Sequence, residues 1–325
     1  MTTFAAPTLV TVGKSKDGSD IRLSVHQQGQ GPAVVFCHGF PELGFSWRHQ
    51  LSAVAAAGFR AIAPDQRGYG ASSAPAAIDE YGLTELTGDL CGMLDQLGIE
   101  RAVFVGHDWG GFVAWAMPVL HPQRTAGVVG ICTPYLAFPS LDLMRMMVGG
   151  EDERFYILWF QPPGQAEAVM DPQAELLFER LLRGGVPIEQ MMTRAFVGGK
   201  LDMNPFRRLN ELEGLGELIV TEDELAHYSE VFRRTGFRGG INWYRNIERN
   251  NREHPAIGTQ KLELPCLMIT AEWDAALRPE MAAGMPALCR DLEMKMIPKA
   301  GHWVQQELPA ELNAILIDWL QRRFR

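Results

Sequence analysis

Residues 106–111 (GHDWGG) constrain the fold more than any other part of the chain. The apolar residues 102–105 before them predict a buried parallel strand, and residues 112–120 after them predict a helix. The glycines of the segment let neighbouring backbone approach closely, as a sharp turn requires. The pattern therefore predicts a strand, a strained turn and a helix, with the side chain of Asp108 exposed above the edge of a sheet.

Asp108 stands where turns of this kind often carry a serine. A serine needs a base to remove its proton before it attacks, whereas an aspartate of ordinary pKa is already an anion at neutral pH. We therefore expect Asp108 to be a nucleophile that attacks an electrophilic carbon. The alternative is a structural role in which its carboxylate caps the following helix.

Composition is typical of a globular enzyme. The chain has 325 residues, of which 46% are hydrophobic and 21% charged, and this leaves room for a large core with an insertion. A net charge of −9 argues against the basic face that a nucleic-acid-binding protein needs. The chain has no apolar run that could span a bilayer, and its first residues lack a signal-peptide pattern, so we expect no membrane partner and a cytoplasmic location.

Apolar stretches alternate with helical patterns, which is typical of a parallel sheet covered by helices on both faces. The alternation breaks over residues 137–255, where helix-like stretches rich in aromatic residues, methionine and arginine replace the strands. We predict a mostly parallel α/β core at residues 1–136 and 256–325, with residues 137–255 inserted as a helical cap. The predicted strands are residues 33–37, 60–63, 102–105, 126–132, 266–270 and 292–297.

Two more polar residues follow the last two predicted strands. Asp274 comes shortly after residues 266–270, and His302 comes shortly after residues 292–297. The carboxyl ends of parallel strands form one rim, so we expect both side chains near Asp108. Nucleophile, acid and histidine also follow the chain order of the α/β-hydrolase triad. His302 is therefore expected to be a base oriented by Asp274, although either residue alone could have a structural role.

The turn at residues 38–42 (HGFPE) follows the predicted strand 33–37. A glycine-containing turn at this position can aim backbone N–H groups into a site. We expect the N–H groups of Phe40 and Trp109 to form an oxyanion hole. The alternative is a simple β-turn in which Pro41 fixes φ.

These motifs resemble those of the α/β-hydrolase-fold epoxide hydrolases, particularly the soluble and plant types. Residues 155–164 and 237–246 are similar to the segments that carry ring-opening tyrosines in that family, which implies this role for Tyr156 and Tyr244. The motifs that carry the resemblance extend over nearly the whole chain, at residues 38–42, 65–70, 106–111, 155–164, 237–246 and 301–303.

The resemblance implies a two-step conversion of an epoxide into a vicinal diol. Asp108 would attack an epoxide carbon while Tyr156 and Tyr244 stabilise the opening oxygen, and His302 would then activate water against the resulting ester. Packing between cap and core is the alternative role for the tyrosines. Glu42 is similar to a family glutamate that helps to place the water, and its alternative is a solvated charge in a turn.

The expected partners are a small apolar epoxide and water, and whether the chain forms a homo-oligomer is left open. We expect no organic cofactor and no metal, because the eight histidines lack metal-binding spacings. The five cysteines lack paired motifs and are expected to be reduced core residues. Two alternatives remain, a haloalkane dehalogenase with the same Asp108 nucleophile and a noncatalytic ligand-binding protein. The tyrosines favour the epoxide reaction.

Overall fold

A computed structural model describes residues 4–211 and 213–325 of the chain. Its strands are β1 (Thr8–Lys14), β2 (Asp20–Gln28), β3 (Ala33–Cys37), β4 (Arg60–Asp65), β5 (Ala102–His107), β6 (Thr125–Ile131), β7 (Phe196–Val197), β8 (Lys200–Leu201), β9 (Leu262–Ala271) and β10 (Cys289–Ile297). Eight of them form one sheet in the order β1-β2-β4-β3-β5-β6-β9-β10. β2 pairs antiparallel with both of its neighbours, whereas every pair from β4 to β10 in this order is parallel.

The six strands predicted from apolar runs are all present, and most of their residues are buried. β3 and β5 are buried at every position, because helices cover both faces of the sheet. The apolar runs of the sequence do not predict β1 and β2. β1 lies at the edge of the sheet with most of its residues exposed, so it lacks the continuous apolar run on which the prediction depended.

Helices pack on both faces of the sheet and give the core two layers. Val35 and Cys37 of β3 face one layer, and the alternate residues Val34 and Phe36 face the other. The helices are α1 (Arg48–Ala56), α2 (Leu83–Gln96), α3 (Trp109–Leu120), α4 (Leu141–Met147), α5 (Tyr156–Trp159), α6 (Gln165–Met170), α7 (Ala174–Leu181), α8 (Ile188–Arg194), α9 (Glu222–Thr235), α10 (Arg238–Arg245), α11 (Ile247–Glu253), α12 (Val304–Glu307) and α13 (Pro309–Phe324). The first layer includes α2 and α3, and the second includes α1 and α13.

Between β6 and β9 the chain leaves the large sheet and forms α4 to α11 together with the ribbon β7–β8. We call residues 137–255 the insertion; its limits stay a prediction. α9 begins with a capping box, in which Thr221 Oγ1 accepts from the Glu224 N–H and the Glu224 carboxylate accepts from the Thr221 N–H. Tyr228 and Phe232 lie on the buried face of α9 and pack into the core cluster. α9 thus packs into the first core layer.

All five cysteines lie among the described residues, and none of them forms a disulfide. Four are buried and Cys91 is partly buried, which confirms the expectation of unpaired cysteines. Across residues 4–211 and 213–325, every helix is too short or too polar to cross a membrane.

Candidate active site

Asp108 lies in the sharp turn between β5 and α3. Its φ of 51° and ψ of −125° fall in a region that residues other than glycine rarely adopt. The turn also requires Gly110, because a Cβ there would lie 2.0 Å from the Cys37 carbonyl oxygen. The carboxylate does not cap α3; its Oδ1 accepts a hydrogen bond from the Phe40 N–H at 2.8 Å. The predicted turn is therefore present, and the alternative of a helix cap is wrong.

Asp274 and His302 follow the carboxyl ends of β9 and β10, as their positions in the sequence indicated. His302 Nδ1 lies 2.8 Å from Asp274 Oδ2, and His302 Nε2 lies 3.6 Å from Asp108 Oδ2. Asp274 Oδ1 accepts from the backbone N–H groups of Ala276 and Leu277. Asp274 thus stabilises its turn with Oδ1 and holds His302 with Oδ2.

The pKa values of Asp274 and His302 depend on the charges around them. Burial alone would raise the pKa of Asp274, but His302 and the backbone N–H of Leu277 outweigh it and lower this pKa to about 2. Burial alone would lower the pKa of His302, but Asp274 and Asp108 hold it well above its usual value. The histidine of the free site is therefore stabilised as a cation between two carboxylates.

Tyr156 begins α5, and Tyr244 lies near the end of α10. Their ring centroids are 5.7 Å apart, and both line one cavity of about 330 Å³ together with Asp108 and His302. Burial and the charge of Asp108 raise the pKa of Tyr156; burial, Tyr156 and Asp108 raise the pKa of Tyr244. Both phenols therefore keep their protons and can donate them.

Apolar side chains form most of the wall around these polar groups. The rings of Phe40 and Trp273 lie in the lining of the cavity, and the insertion contributes Leu181, Val186 and Met191. Tyr244 also packs edge-on against the rings of neighbouring aromatic residues. The packing alternative therefore describes the tyrosine rings correctly, whereas the role of their hydroxyl groups stays a prediction.

The turn at residues 38–42 contributes the Phe40 N–H, which donates to the Asp108 carboxylate. It is closed by a hydrogen bond from the Glu42 N–H to the Gly39 carbonyl oxygen at 3.0 Å. The β-turn alternative is thus compatible with the predicted donor role of Phe40. The Trp109 N–H belongs to the first residue of α3. Amides at this end of a helix have no acceptor within the helix, so this group is available to an oxyanion.

Glu42 is fully buried, so the alternative of a solvated charge in a turn is wrong. Its Oε2 accepts from the Gly39 N–H at 3.2 Å and lies 2.8 Å from His107 Nδ1. Its Oε1 accepts from the side-chain amides of Gln305 and Gln306 at 2.8 and 3.0 Å. A carboxylate has about four acceptor positions, and these contacts occupy them. Placement of water by Glu42 stays a prediction, and it would have to be indirect.

His107 is a site residue that the sequence analysis missed. Its Nε2 lies 2.7 Å from the main-chain carbonyl oxygen of His302 and therefore donates to it. Its Nδ1 faces Glu42, so His107 connects this carboxylate to the segment that carries His302. The only signal in the sequence was position, because His107 precedes Asp108 and the two glutamines closely follow His302.

A ring nitrogen of His107, one of His302 and the sulfur of Cys132 lie within 4.8 Å of one another, a spacing that could hold a metal ion. Both nitrogens of His107 are already hydrogen-bonded, and Nδ1 of His302 is held by Asp274. The geometry therefore assigns these side chains to hydrogen bonding within the protein.

The chain is similar to known proteins over nearly its full length. Residues 32–308 match the family described as alpha/beta hydrolase fold. The chain is 40% identical to Epoxide hydrolase A of Mycobacterium tuberculosis, with 94% of this chain and 95% of that protein covered. It is 42% identical to mouse Bifunctional epoxide hydrolase 2 over 93% of its own residues but 54% of the mouse protein. The chain thus spans about half the length of the mammalian relatives it matches.

Solved structures with similar folds include two bacterial epoxide hydrolases. Epoxide Hydrolase A from Mycobacterium thermoresistibile superposes with a TM-score of 0.83 at 40% identity, covering 97% of this chain and 98% of that one. An epoxide hydrolase from an endophytic Streptomyces gives a TM-score of 0.84 at 35% identity, covering 98% and 96% of the two chains.

Proposed function

The chain belongs to the α/β-hydrolase fold family and, within it, to the epoxide hydrolases, and on this premise we propose that it hydrolyses epoxides to vicinal diols. The observation that carries the proposal is one cavity in which Asp108 and His302 face two protonated phenols, Tyr156 and Tyr244. A haloalkane dehalogenase would use the same nucleophile but does not need these phenols. We propose a small apolar epoxide and water as the partners.

In the first step Asp108 attacks an epoxide carbon. Its Oδ1 is held by the Phe40 N–H, which leaves Oδ2 to form the new bond to carbon. The carbon–oxygen bond of the ring breaks, and its electron pair moves to the epoxide oxygen. Tyr156 and Tyr244 donate hydrogen bonds to this oxygen and supply its proton, because an alkoxide is otherwise a poor leaving group. The product of this step is a hydroxyalkyl ester of Asp108.

In the second step water hydrolyses this ester. His302 Nε2 accepts a proton from the water while Asp274 holds Nδ1, and the water oxygen attacks the carbonyl carbon of Asp108. The developing oxyanion is Oδ1, which already faces the Phe40 N–H, and the Trp109 N–H adds a second donor. The ester bond breaks, and the diol leaves with the proton held by His302. The second proton of the water leaves the new carboxyl group of Asp108 and replaces the proton that the phenol gave in the first step, so that the carboxylate and the phenol are both restored.

We assign a supporting role to each remaining part of the site. The insertion acts as a cap, because it supplies both phenols and much of the apolar wall. Glu42 acts on the water indirectly, through His107 and the main chain of His302, because its own oxygens are occupied. The reaction needs no cofactor in this scheme, since water is the only second reactant.

Trapping the ester tests the proposal directly. With an aryl epoxide such as styrene oxide, His302→Gln should form the ester but not hydrolyse it, so that intact-mass measurement shows an adduct of enzyme plus substrate. Asp108→Asn should form no adduct and show no initial turnover. His121→Gln is the control, because this histidine bonds Thr87 at a distance from the cavity and should turn over normally.

Two results would contradict the scheme. Undiminished initial turnover by Asp108→Asn, with deamidation excluded by mass, would remove Asp108 as the nucleophile. Multiple rapid turnovers by His302→Gln would remove the histidine as the base of the second step. A panel of epoxides, haloalkanes and aryl esters, with products identified by mass, separates the epoxide hydrolase from a dehalogenase.

A further inference from the structure

Glu307, the last residue of α12, accepts hydrogen bonds from two backbone N–H groups in different parts of the protein. Its Oε2 accepts from the Gly301 N–H at 2.7 Å, in the segment just before His302. Its Oε1 accepts from the Gly185 N–H at 2.8 Å, in the insertion. One carboxylate therefore joins the segment of the core that carries His302 to the insertion, through main-chain groups on both sides.

This carboxylate has no cation beside it. Within the described part of the chain, no charged side chain forms an ion pair with Glu307. Burial raises the pKa of Glu307, whereas its hydrogen bonds to Gly301 and Gly185 lower it, and burial has the larger effect. The two N–H groups are therefore the main stabilisation of a carboxylate that is otherwise costly to bury.

Gly185 and Gly301 also contact each other directly. A Cβ at Gly185 would lie 2.4 Å from the backbone nitrogen of Gly301, and a Cβ at Gly301 would lie 2.6 Å from the Cα of Gly185. A side chain on either residue would therefore separate the two backbones. Glycine at both positions lets the insertion come as close to the core as the two bonds of Glu307 require.

The contact between the two glycines lies beside the catalytic cavity. We call residues 181–186 the wall segment, because nearly all of them line this cavity. Val186 directly follows Gly185, and His302 directly follows Gly301, and both of these neighbours line the cavity. The distance between the two glycine backbones therefore determines how far the wall segment lies from the base of the second step.

Further hydrogen bonds fix the wall segment on either side of Gly185. Trp303 Nε1 donates to the Leu181 carbonyl and joins the start of the segment to the core. The Gly184 N–H donates to the Glu217 carbonyl at 2.8 Å and joins the segment to another part of the insertion. The wall segment is thus held at several points, and Glu307 provides the bond nearest to His302.

We propose that Glu307 is a positioning residue which, together with the contact of Gly185 and Gly301, sets the width of the cavity between the wall segment and His302. This width limits the size of the epoxide substituent that the site accepts, an inference that rests on the proposed function. Cavity width acts on substrate binding and on the attack by Asp108, before His302 accepts a proton. Changes at this contact should therefore alter the choice among epoxides already at ester formation.

Amide hydrogen exchange tests the two bonds without any substrate. Glu307→Gln keeps the size of the side chain but has one acceptor oxygen instead of two, so the N–H of Gly185 or of Gly301 loses its partner. We expect at least one of these amides to exchange faster than in the parent. Glu311→Gln, at an exposed position in the first turn of α13, is the control and should leave both amides unchanged. Parental exchange of both amides in folded Glu307→Gln would overturn the role of Glu307.

Single-turnover formation of the ester from two epoxides tests the width of the cavity. Styrene oxide carries one phenyl group, and trans-stilbene oxide carries two. In Gly185→Ala the backbone φ is compatible with alanine, but the added Cβ must move the wall segment by roughly 1 Å to reach ordinary contact with Gly301. We expect the rate for stilbene oxide relative to styrene oxide to rise about tenfold, the low end of what one methylene group decides in a pocket.

Gly284→Ala is the matched control, because a Cβ there would have no neighbour within 4 Å and the residue lies outside the lining of the cavity. Glu307→Gln should raise the same ratio by a smaller factor, since it loosens the contact without adding an atom. The double variant of Gly185→Ala and Glu307→Gln should resemble Gly185→Ala alone, because both changes act on one contact.

Three results would contradict the proposal: a parental ratio in either folded single variant, an equal rise in Gly284→Ala, or a double variant in which the two effects multiply. If Gly185→Ala does not fold, Glu307→Gln provides the same test, because it keeps the volume of the side chain. If the parent forms no ester from either epoxide, the proposed function fails, whereas amide exchange still decides whether Glu307 joins the insertion to the core.

Discussion

Among single residues, His302 has a protonation state that the reaction itself changes. In the free site Asp274 and Asp108 together hold its pKa well above the usual value, against the opposing effect of burial. Ester formation converts the anionic carboxylate of Asp108 into a neutral group and so removes one of these two influences. The pKa of His302 should therefore fall when the ester forms, which prepares the neutral imidazole that the second step requires.

This gives a prediction about pH. Asp108→Asn imitates the loss of charge, so NMR titration should find a lower pKa for His302 in this variant than in the parent. Since only neutral His302 can accept a proton, ester hydrolysis should rise as pH increases through the pKa of the intermediate and be lost as pH falls below it. Asp274, with its pKa of about 2, stays ionised throughout. Identical titration of His302 in both proteins would contradict the coupling.

The two phenols give a second prediction. Tyr156→Phe and Tyr244→Phe should each slow ester formation, and the double variant should slow it far more, because one donor can partly replace the other on the same oxygen. Loss of a single such donor costs roughly 10²–10³ in rate at most, by analogy with oxyanion holes. Single-turnover kinetics isolate this step from hydrolysis.

Tyr135→Phe is the control for these variants. This buried phenol donates to the Gln260 carbonyl outside the catalytic cavity, so its loss should leave ester formation unchanged. Ester formation at the parental rate in the folded double variant would show that the cavity tyrosines only pack, and the dehalogenase alternative would regain support.

Among the helices, α10 determines where Tyr244 stands over the nucleophile. The helix lies against the loop after β4, and Trp243 Nε1 donates to the Arg67 carbonyl at 3.1 Å. A Cβ at Gly240 would lie 2.4 Å from the hydroxyl oxygen of Tyr69 and 2.6 Å from the ring of Phe40. The helix cannot come closer to the core, so this contact sets the position of Tyr244.

Gly240→Ala should therefore push α10 outward and slow ester formation more than ester hydrolysis. Its control is Gly88→Ala, a glycine within α2 that has no neighbouring atom within 4 Å of an added Cβ. That change should keep both rates and raise stability by up to about 1 kcal/mol, because alanine favours a helix. Equal rates in Gly240→Ala and the parent would mean that the contact does not position Tyr244.

At the scale of the whole molecule, a buried ion pair joins the loop after β4 to α2. Arg67 is 5% exposed and donates from Nε and Nη2 to the two oxygens of Asp89, at 2.7 and 2.6 Å, and from Nη1 to the Glu80 carbonyl. Arg67→Met leaves the Asp89 carboxylate buried without a partner, which should lower the free energy of unfolding by about 3–5 kcal/mol. Chemical denaturation measures this loss.

The exposed pair of Arg290 and Glu263 provides the comparison. Solvent screens such a pair, so Arg290→Met should leave the unfolding midpoint almost unchanged. Similar losses in both arginine variants would show that burial of the Arg67 network does not decide its contribution.

The parts of the fold and site that could be predicted were those encoded locally. Asp108, Asp274 and His302 each follow an apolar strand, and parallel topology brings strand ends to one rim. Tyr156 and Tyr244 came from resemblance, since nothing in a helical pattern separates a donor from a packing ring. The sequence could not indicate the bonds of Glu42 to Gln305 and Gln306, because these join residues more than 260 positions apart. The exposed β1 was missed because its pattern is not apolar.

The bond between Arg48 and Gln306 also limits which sequences this scaffold can accept. The two positions are 258 residues apart, yet each is the buried partner of the other. Changing one alone leaves a buried polar group unmatched, and exchanging both still removes the arginine partner of Glu224 and one donor of the buried Glu42. A mutant library that diversifies this pair should therefore vary codons 42, 48, 224 and 306 together rather than one at a time.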